Sequence, residues 1–377
     1  MSTKTVILVA AFAIGYLQLL PNETRELSYP YVEFPNAPKY TGVLAPNKVL
    51  ESAEILFKGQ LEGPESIVIE GDTQYVAVIN EVVQITKDKI VKRIPVTKTK
   101  NCDKNITPAC GRPLGLRRLD KTRLIVADGI LGLITVDTET SKVEVLLPAE
   151  TIVEGHPVRY VDDLDLVDKD TVIFSDATWI CNSVNTSSCI VPALPTGRIY
   201  KFHIPSKSVS LLADNLYFAN GVQLHPSKDS VLFTETVRAR AYRYYLTGPR
   251  QGVKEIFHEN LPVHPDNLRA SSDGKYIYIA GATARVPEKF DFIQLLFANP
   301  TIRWVLHTFV PSTTLDKLAS PAEYGIALKL DLNGKIVASY HAPKGPVNRI
   351  SQLSDDGKTL YICSYENDFL ARIPLPK

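Results

Sequence analysis

Tyr217-Phe218-Ala219-Asn220-Gly221-Val222-Gln223-Leu224-His225-Pro226, continuing through Ser227-Lys228-Asp229 to Val231-Leu232-Phe233-Thr234-Glu235, reads as strand, turn and strand. An Asn-Gly step enters a short apolar strand, Pro226 to Asp229 make a polar turn, and a β-branched and aromatic run forms the partner strand. An Asn at the head of an inner strand can turn its amide oxygen inward. Units of the same kind recur at Gly63-Pro64-Glu65-Ser66-Ile67-Val68, Val161-Asp162-Asp163-Leu164-Asp165-Leu166 and His264-Pro265-Asp266-Asn267-Leu268-Arg269, each with a short amide or carboxylate at that place.

Working outward, short apolar runs of one type follow polar turns along the whole chain: Val76-Ala77-Val78-Ile79, Leu124-Ile125-Val126-Ala127, Val172-Ile173-Phe174, Tyr276-Ile277-Tyr278-Ile279 and Leu360-Tyr361-Ile362-Cys363. Turn plus strand returns roughly every fifty residues, a period that signals a propeller or an array. Glu65, Gly115, Asp163, Asn220 and Asp266 open successive units, and the sixth closes near Val347. Six units of about fifty-five residues fill residues 51–377, so the chain is all-β and predicts a six-bladed propeller of four-stranded blades. Inner strands of a propeller begin near one end of its central channel, which brings side chains distant in sequence together there. One longer interval holds Phe290-Asp291-Phe292-Ile293-Gln294-Leu295-Leu296-Phe297-Ala298-Asn299-Pro300, whose apolar spacing is helical. It predicts either a cap over the channel at about 287–300 or a helix against a blade edge.

The 42 Lys and Arg residues against 41 Asp and Glu, without long blocks of one sign, argue against a nucleic-acid partner. Residues Thr5 to Leu20 are nearly all apolar, follow Lys4 and stop at Pro21-Asn22-Glu23. They read as an uncleaved signal anchor, with a cleaved signal peptide as the alternative. Either sends the rest through the secretory pathway, to the endoplasmic reticulum or plasma membrane as a single-pass type II protein, or outside the cell. Residues 21–50 read as a stalk.

Cys102 with Cys110 and Cys181 with Cys189 lie in polar loops at a spacing that suits small disulfide-closed loops. Zinc is the competing reading, without the two-residue spacing or His partners of a zinc site. Cys363 sits in a strand and reads as a buried thiol. Asn105 and Asn185 head glycosylation sequons inside the Cys loops, and Asn22 heads another.

Cys110-Gly111-Arg112-Pro113-Leu114-Gly115, Phe174-Ser175-Asp176-Ala177, Phe218-Ala219-Asn220-Gly221-Val222 and Pro265-Asp266-Asn267-Leu268-Arg269 resemble, in this order, the strictosidine synthase-like family, with the paraoxonases as more distant relatives. The resemblance runs over roughly residues 50–375. It implies a six-bladed propeller, a channel calcium and, in several members, arylesterase or lactonase activity. Carried over by position, it implies a Ca2+ site of Glu65, Asp162, Asn220, Asp266 and Asn267. These are hard oxygen donors of the kind calcium takes. The bland alternative is that they cap strand ends and hydrogen-bond within the channel. Asp162 stands where the family usually has Asn, which adds a negative charge. For a second calcium Asp163 matches, but Ser66 stands where a carboxylate is expected.

The paraoxonase catalytic His is matched by Leu114, and Val347-Asn348-Arg349-Ile350-Ser351-Gln352 lacks the Glu of strictosidine synthase. Amine condensation is therefore disfavoured. The expectation is a calcium-dependent, arylesterase-like hydrolase of small aryl or lipophilic esters and lactones. The alternative is a non-catalytic propeller, pinned by calcium, that binds a lipophilic ligand or a protein. His264 and His156 are the candidate bases, against the plainer reading of loop histidines facing solvent. Asp163 is a further candidate that also reads as a group supporting the metal ligands. Ser66 and Ser175 lack a nucleophile-elbow context, and no phosphate loop, CxxC or dinucleotide fingerprint is present.

Overall fold

Runs such as Leu124-Ile125-Val126-Ala127 lack polar alternation because the strands they form are covered on both faces. In the computed structural model, which describes residues 31–103, 106–287, 289, 291–311, 314–315 and 324–376, Leu124 and Val126 pack with Tyr75, Val82 and Ile94 of the preceding sheet. Ile125 and Ala127 pack with Leu164, Phe174 and Tyr200 of the following one. The division repeats at every seam. Six four-stranded antiparallel sheets are separated by six apolar clusters and make a six-bladed propeller.

The innermost strands of blades 1 to 6 are Ser66–Glu70, Pro113–Arg118, Val161–Asp168, Ala219–Leu224, Val263–Ala270 and Ile350–Asp355. Each packs against the inner strands of its neighbours around the channel. The outer strand of blade 6 comes from the other end of the domain: Glu54–Leu56 pairs antiparallel with Leu370–Pro374, closing the ring. Three residues carry too little periodicity to be read as a strand from sequence.

Five of the six inner strands share one irregularity. Their pairing register shifts between Pro113 and Leu116, Val161 and Leu164, Ala219 and Val222, Pro265 and Leu268, and Ile350 and Gln352. The shifts are β-bulges, which re-aim side chains at the rim of a sheet. The residues inside them are Leu114-Gly115, Asp162-Asp163, Asn220-Gly221, Asp266-Asn267 and Ser351. They include nearly all of the carboxylates and amides that the sequence sends to the channel mouth.

The insert between the second and third strands of blade 5 forms two helices, α1 (Phe292–Ala298) and α2 (Pro300–Phe309). Asp291 caps the first, accepting from Gln294 N at 3.0 Å. Pro300 occupies the first turn of α2, where its missing N–H is harmless. Arg303 of α2 is buried and donates to the carbonyls of Pro192 and Ala193.

Residues 31–50, expected as a stalk, lie against blade 5 and this insert. Phe34 stacks between Phe297 and His264, at 5.3 and 5.9 Å between ring centres. Tyr40 Oη donates to Pro262 O, and Leu50 is fully buried.

Both disulfides, Cys102–Cys110 and Cys181–Cys189, are formed, which removes the zinc reading, and Cys363 is buried and unpaired. Asn185 is exposed on its loop, as a glycan acceptor must be, whereas Asn22, Asn105 and the apolar segment 1–20 lie outside the described residues. Among the described residues no helix is long and apolar enough to cross a membrane.

Candidate functional site

The bulges gather a buried polar cluster at one end of the channel. Glu65, Asp162 and Asp266 are only 3–5% exposed, and Asn220 and Asn267 are buried beside them. Burial pushes the Glu65 carboxyl up to about 7, with Arg112 opposing and Asp163 adding to the shift. Asp162 and Asp266 are pushed well above the usual carboxylate range, first by burial and then by the charge of Glu65. Glu65 thus acts on both aspartates, and Asp162 on Asp266, a like-charge arrangement that disfavours ionisation. The Asn220 side chain donates to Asp266. Asn220 Oδ1 and both polar side-chain atoms of Asn267 are buried with no hydrogen-bond partner.

Hydroxyls on neighbouring strands fix the backbone of this rim. Ser351 Oγ donates to Glu65 O at 2.6 Å, Thr234 Oγ1 to Asp266 O at 2.8 Å and Thr236 Oγ1 to Pro265 O at 2.8 Å. Ser66 Oγ donates to Leu114 O, and Ser175 Oγ to Asp163 O at 3.3 Å. Neither serine has its oxygen free for nucleophilic work.

One layer below the mouth stands an ion pair. Arg269 Nη1 and Nη2 grip Asp163 Oδ2 and Oδ1 at 2.6 and 2.8 Å, and Val222 N donates to the same carboxylate at 2.7 Å. Asp163 is thus held as a structural anchor, and Ser66 adds no carboxylate beside it for a second cation.

The two imidazoles do not join the cluster. His264 lies two residues before Asp266, yet its Nδ1 faces Thr236 O at 3.1 Å and its Nε2 faces Asp291 Oδ2 at 3.4 Å. Both partners are acceptors, so the ring aims no lone pair at the channel. Burial raises the Asp291 carboxyl, but His264, the Gln294 amide and Arg285 more than reverse this and hold it well below the usual range. His156 stacks on Trp179 with ring centres 4.2 Å apart, in the small ribbon Ile152–Val153 and His156–Pro157. The charges acting most strongly on Glu65, Asp162 and Asp266 are one another, Asp163, Arg112 and Arg269, with no imidazole among them. Position in sequence placed both histidines near the mouth, but His264 is spent on Thr236 and Asp291 and His156 on Trp179.

Sequence reasoning gave no role to Arg112 or to Tyr160, which lies near Asp162. Arg112 Nη2 reaches Glu65 Oε2 at 3.3 Å. Leu114, Tyr160, Phe218 and Phe34 are buried in one apolar cluster, with Tyr160 edge-on to Phe218 at 5.4 Å. Tyr160 Oη shares a 2.9 Å hydrogen bond with Thr186 in the disulfide loop. Arg112 falls inside the Cys110 to Gly115 motif, but nothing local in that motif shows that its partner is Glu65.

The cluster has what a hard cation takes: carboxylate and amide oxygens, orphaned amide groups, and repulsion that a positive ion relieves. Among the described residues no three His, Cys, Asp or Glu side chains form a metal cluster by themselves. A cation held here therefore needs the Asn220 and Asn267 oxygens as well.

A family model described as strictosidine synthase matches residues 162–249, and one described as strictosidine synthase-like, N-terminal, matches residues 42–79. The adipocyte plasma membrane-associated protein of Bos taurus is 33% identical over 380 residues, which span 98% of this chain and 90% of that one. A gluconolactonase from Xanthomonas campestris superposes with a TM-score of 0.56 at 14% identity, covering 92% of this chain and 96% of its own. Regucalcin from Agrobacterium tumefaciens, a calcium-binding protein, superposes with a TM-score of 0.55 at 13% identity, covering 87% and 95%. At such identities these two structures show the shared fold.

Proposed function

Since the chain belongs to the strictosidine synthase-like family, together with the adipocyte plasma membrane-associated proteins, we propose that it is a calcium-dependent hydrolase of small aryl or lipophilic esters and lactones acting at the channel mouth. The observation that carries this reading is the set of orphaned amide atoms of Asn220 and Asn267 among three buried, mutually repelling carboxylates. Glu65, Asp162, Asn220, Asp266 and Asn267 would hold the ion, which would supply Lewis-acid polarisation of an ester carbonyl. Tyr160, Phe218, Leu114 and Phe34 offer an apolar wall to the substrate and exclude bulk water. A gluconolactonase and a calcium-binding protein that share this fold support the chemistry and the ion.

One observation favours a second reading. Leu114, His264 and His156 leave the mouth without an imidazole to take a proton from water. On that reading calcium pins the propeller and the mouth binds a lipophilic ligand without turnover. Amine condensation of the strictosidine type has no carboxylate in 347–352 to support it. The disulfides and the plasma-membrane association in the relatives' name support a propeller in the secretory pathway, for which segment 1–20 is the proposed membrane link.

Hydrolysis of phenyl acetate and a lactone panel by the purified full-length chain decides between the two. The first reading expects activity that disappears on calcium chelation, returns with calcium and falls in Glu65→Gln. A folded, calcium-loaded chain without activity on any of these substrates leaves the second.

A further inference from the structure

Arg112 touches the acidic cluster at Glu65, and its place is built. Its Nη1 donates to Gly63 O at 3.0 Å, its Nη2 to Tyr365 O at 3.1 Å, and the side chain is 6% exposed. Gly63 has φ of +56°, and a Cβ there would stand 2.8 Å from Tyr365 O and 3.2 Å from Arg112 Nη2. The backbone is thus shaped around the guanidinium, and only glycine fits it comfortably. Arg112 Nη2 also reaches Glu65 Oε2 at 3.3 Å, which brings the guanidinium's charge into contact with the cluster.

The other charges nearby are already matched. Arg269 and Asp163 neutralise one another through two hydrogen bonds, and Arg117 pairs with Asp165 at 3.1 Å. Asp128 also feels Arg112, but three backbone N–H groups, of Leu131, Arg112 and Ile130, hold it. Three carboxylates and one guanidinium therefore remain at the mouth.

We propose that Arg112 sets the charge of the cation site. Its guanidinium offsets the carboxylate that Asp162 adds, leaving a net charge of minus two that matches one divalent ion and disfavours a trivalent one. This rests on the calcium reading above and deepens it: Asp162 and Arg112 act as a compensating pair, and ion selectivity belongs to the pair and not to the ligands alone. An unpaired buried charge is costly, so neither member is neutral to lose by itself.

The test is competition between terbium and calcium on the full-length chain, followed by terbium luminescence sensitised through Tyr160, which lies within the field of Asp162. Arg112→Gln leaves three uncompensated carboxylates. It is expected to raise the ratio of terbium to calcium affinity about a hundredfold to a thousandfold, the scale set by one unit charge about 4–6 Å away at a protein-like dielectric. Arg112→Gln combined with Asp162→Asn restores the net charge and should return the ratio to that of the wild type. Where Arg112→Gln alone does not fold, Asp162→Asn against the double variant carries the same comparison, with the ratio higher in the double variant. A wild type that binds calcium, with a ratio that ignores these changes, overturns the inference and leaves the calcium site standing. A wild type that binds neither ion overturns both.

Discussion

Arg269→Met is expected to lower the stability of the chain in urea denaturation by about 3–5 kcal/mol. Asp163 is completely buried, and two of its hydrogen bonds come from the guanidinium. Without it the carboxylate keeps the Val222 amide and Arg117, whose Nη1 is 4.0 Å away. A buried carboxylate so exposed to its own desolvation is the costly half of a broken pair, and methionine supplies volume without charge. Arg269→Lys recovers little, because an ammonium cannot make the forked contact. Arg269→Met with Asp163→Asn should lose clearly less than Arg269→Met alone, since the uncompensated charge is gone. A loss below about 1 kcal/mol in the single variant contradicts the assignment of this pair as the anchor of the inner strands.

Gly221→Ala is expected to destabilise by about 3 kcal/mol or more, with little scope for relief. Gly221 lies in the bulge that also presents Asn220. A Cβ there would sit 2.6 Å from Asn267 Cα, 2.6 Å from Leu268 N and 2.8 Å from Asp266 O. All three obstacles are backbone of the adjacent blade, so no side chain can swing aside. The glycine is required by this close approach, which lets blades 4 and 5 set Asn220 and Asp266 within hydrogen-bond reach. Gly115 faces the same limit on the other side, where a Cβ would meet Asp163 Oδ1 at 2.3 Å. A shift in melting temperature of Gly221→Ala too small to resolve contradicts the tight inner ring described here.

The propeller was legible because its signal is local and repeated. Turn residues followed by runs such as Val231-Leu232-Phe233 report strands buried on both faces, and six of them set the blade count. Asp162, Asn220 and Asp266 were legible for the same reason, being polar residues at the heads of otherwise apolar strands. What decides their chemistry is less local. Arg269 meets Asp163 across 106 residues and Arg112 meets Glu65 across 47, so neither pairing has a sequence pattern. His264 looks like a channel residue from its distance to Asp266, but the register shift after Pro265 turns its ring toward Thr236 and Asp291. Phe34 sits in a segment without periodicity and docks only because α1 and His264 offer it two flat faces.

The central claim is that Glu65, Asp162, Asn220, Asp266 and Asn267 form one calcium site, and the calcium dependence of melting in the wild type and Asp266→Asn tests it most directly. The carboxyls of the cluster lie above their unfolded values, so the calcium-free fold loses stability as pH rises through about 7, the value to which Glu65 is pushed. The comparison therefore belongs near pH 8, above the value to which Glu65 is pushed. An ion that binds only the folded chain raises its stability by about 2.7 kcal/mol at a hundredfold excess over Kd. The wild type is predicted to melt several degrees higher with calcium than with chelator. Asp266→Asn is predicted to match or exceed the wild type in chelator, because one repelling charge is gone, and to gain nothing from calcium. Equal calcium-dependent shifts in the two chains, or none in the wild type, would contradict the site.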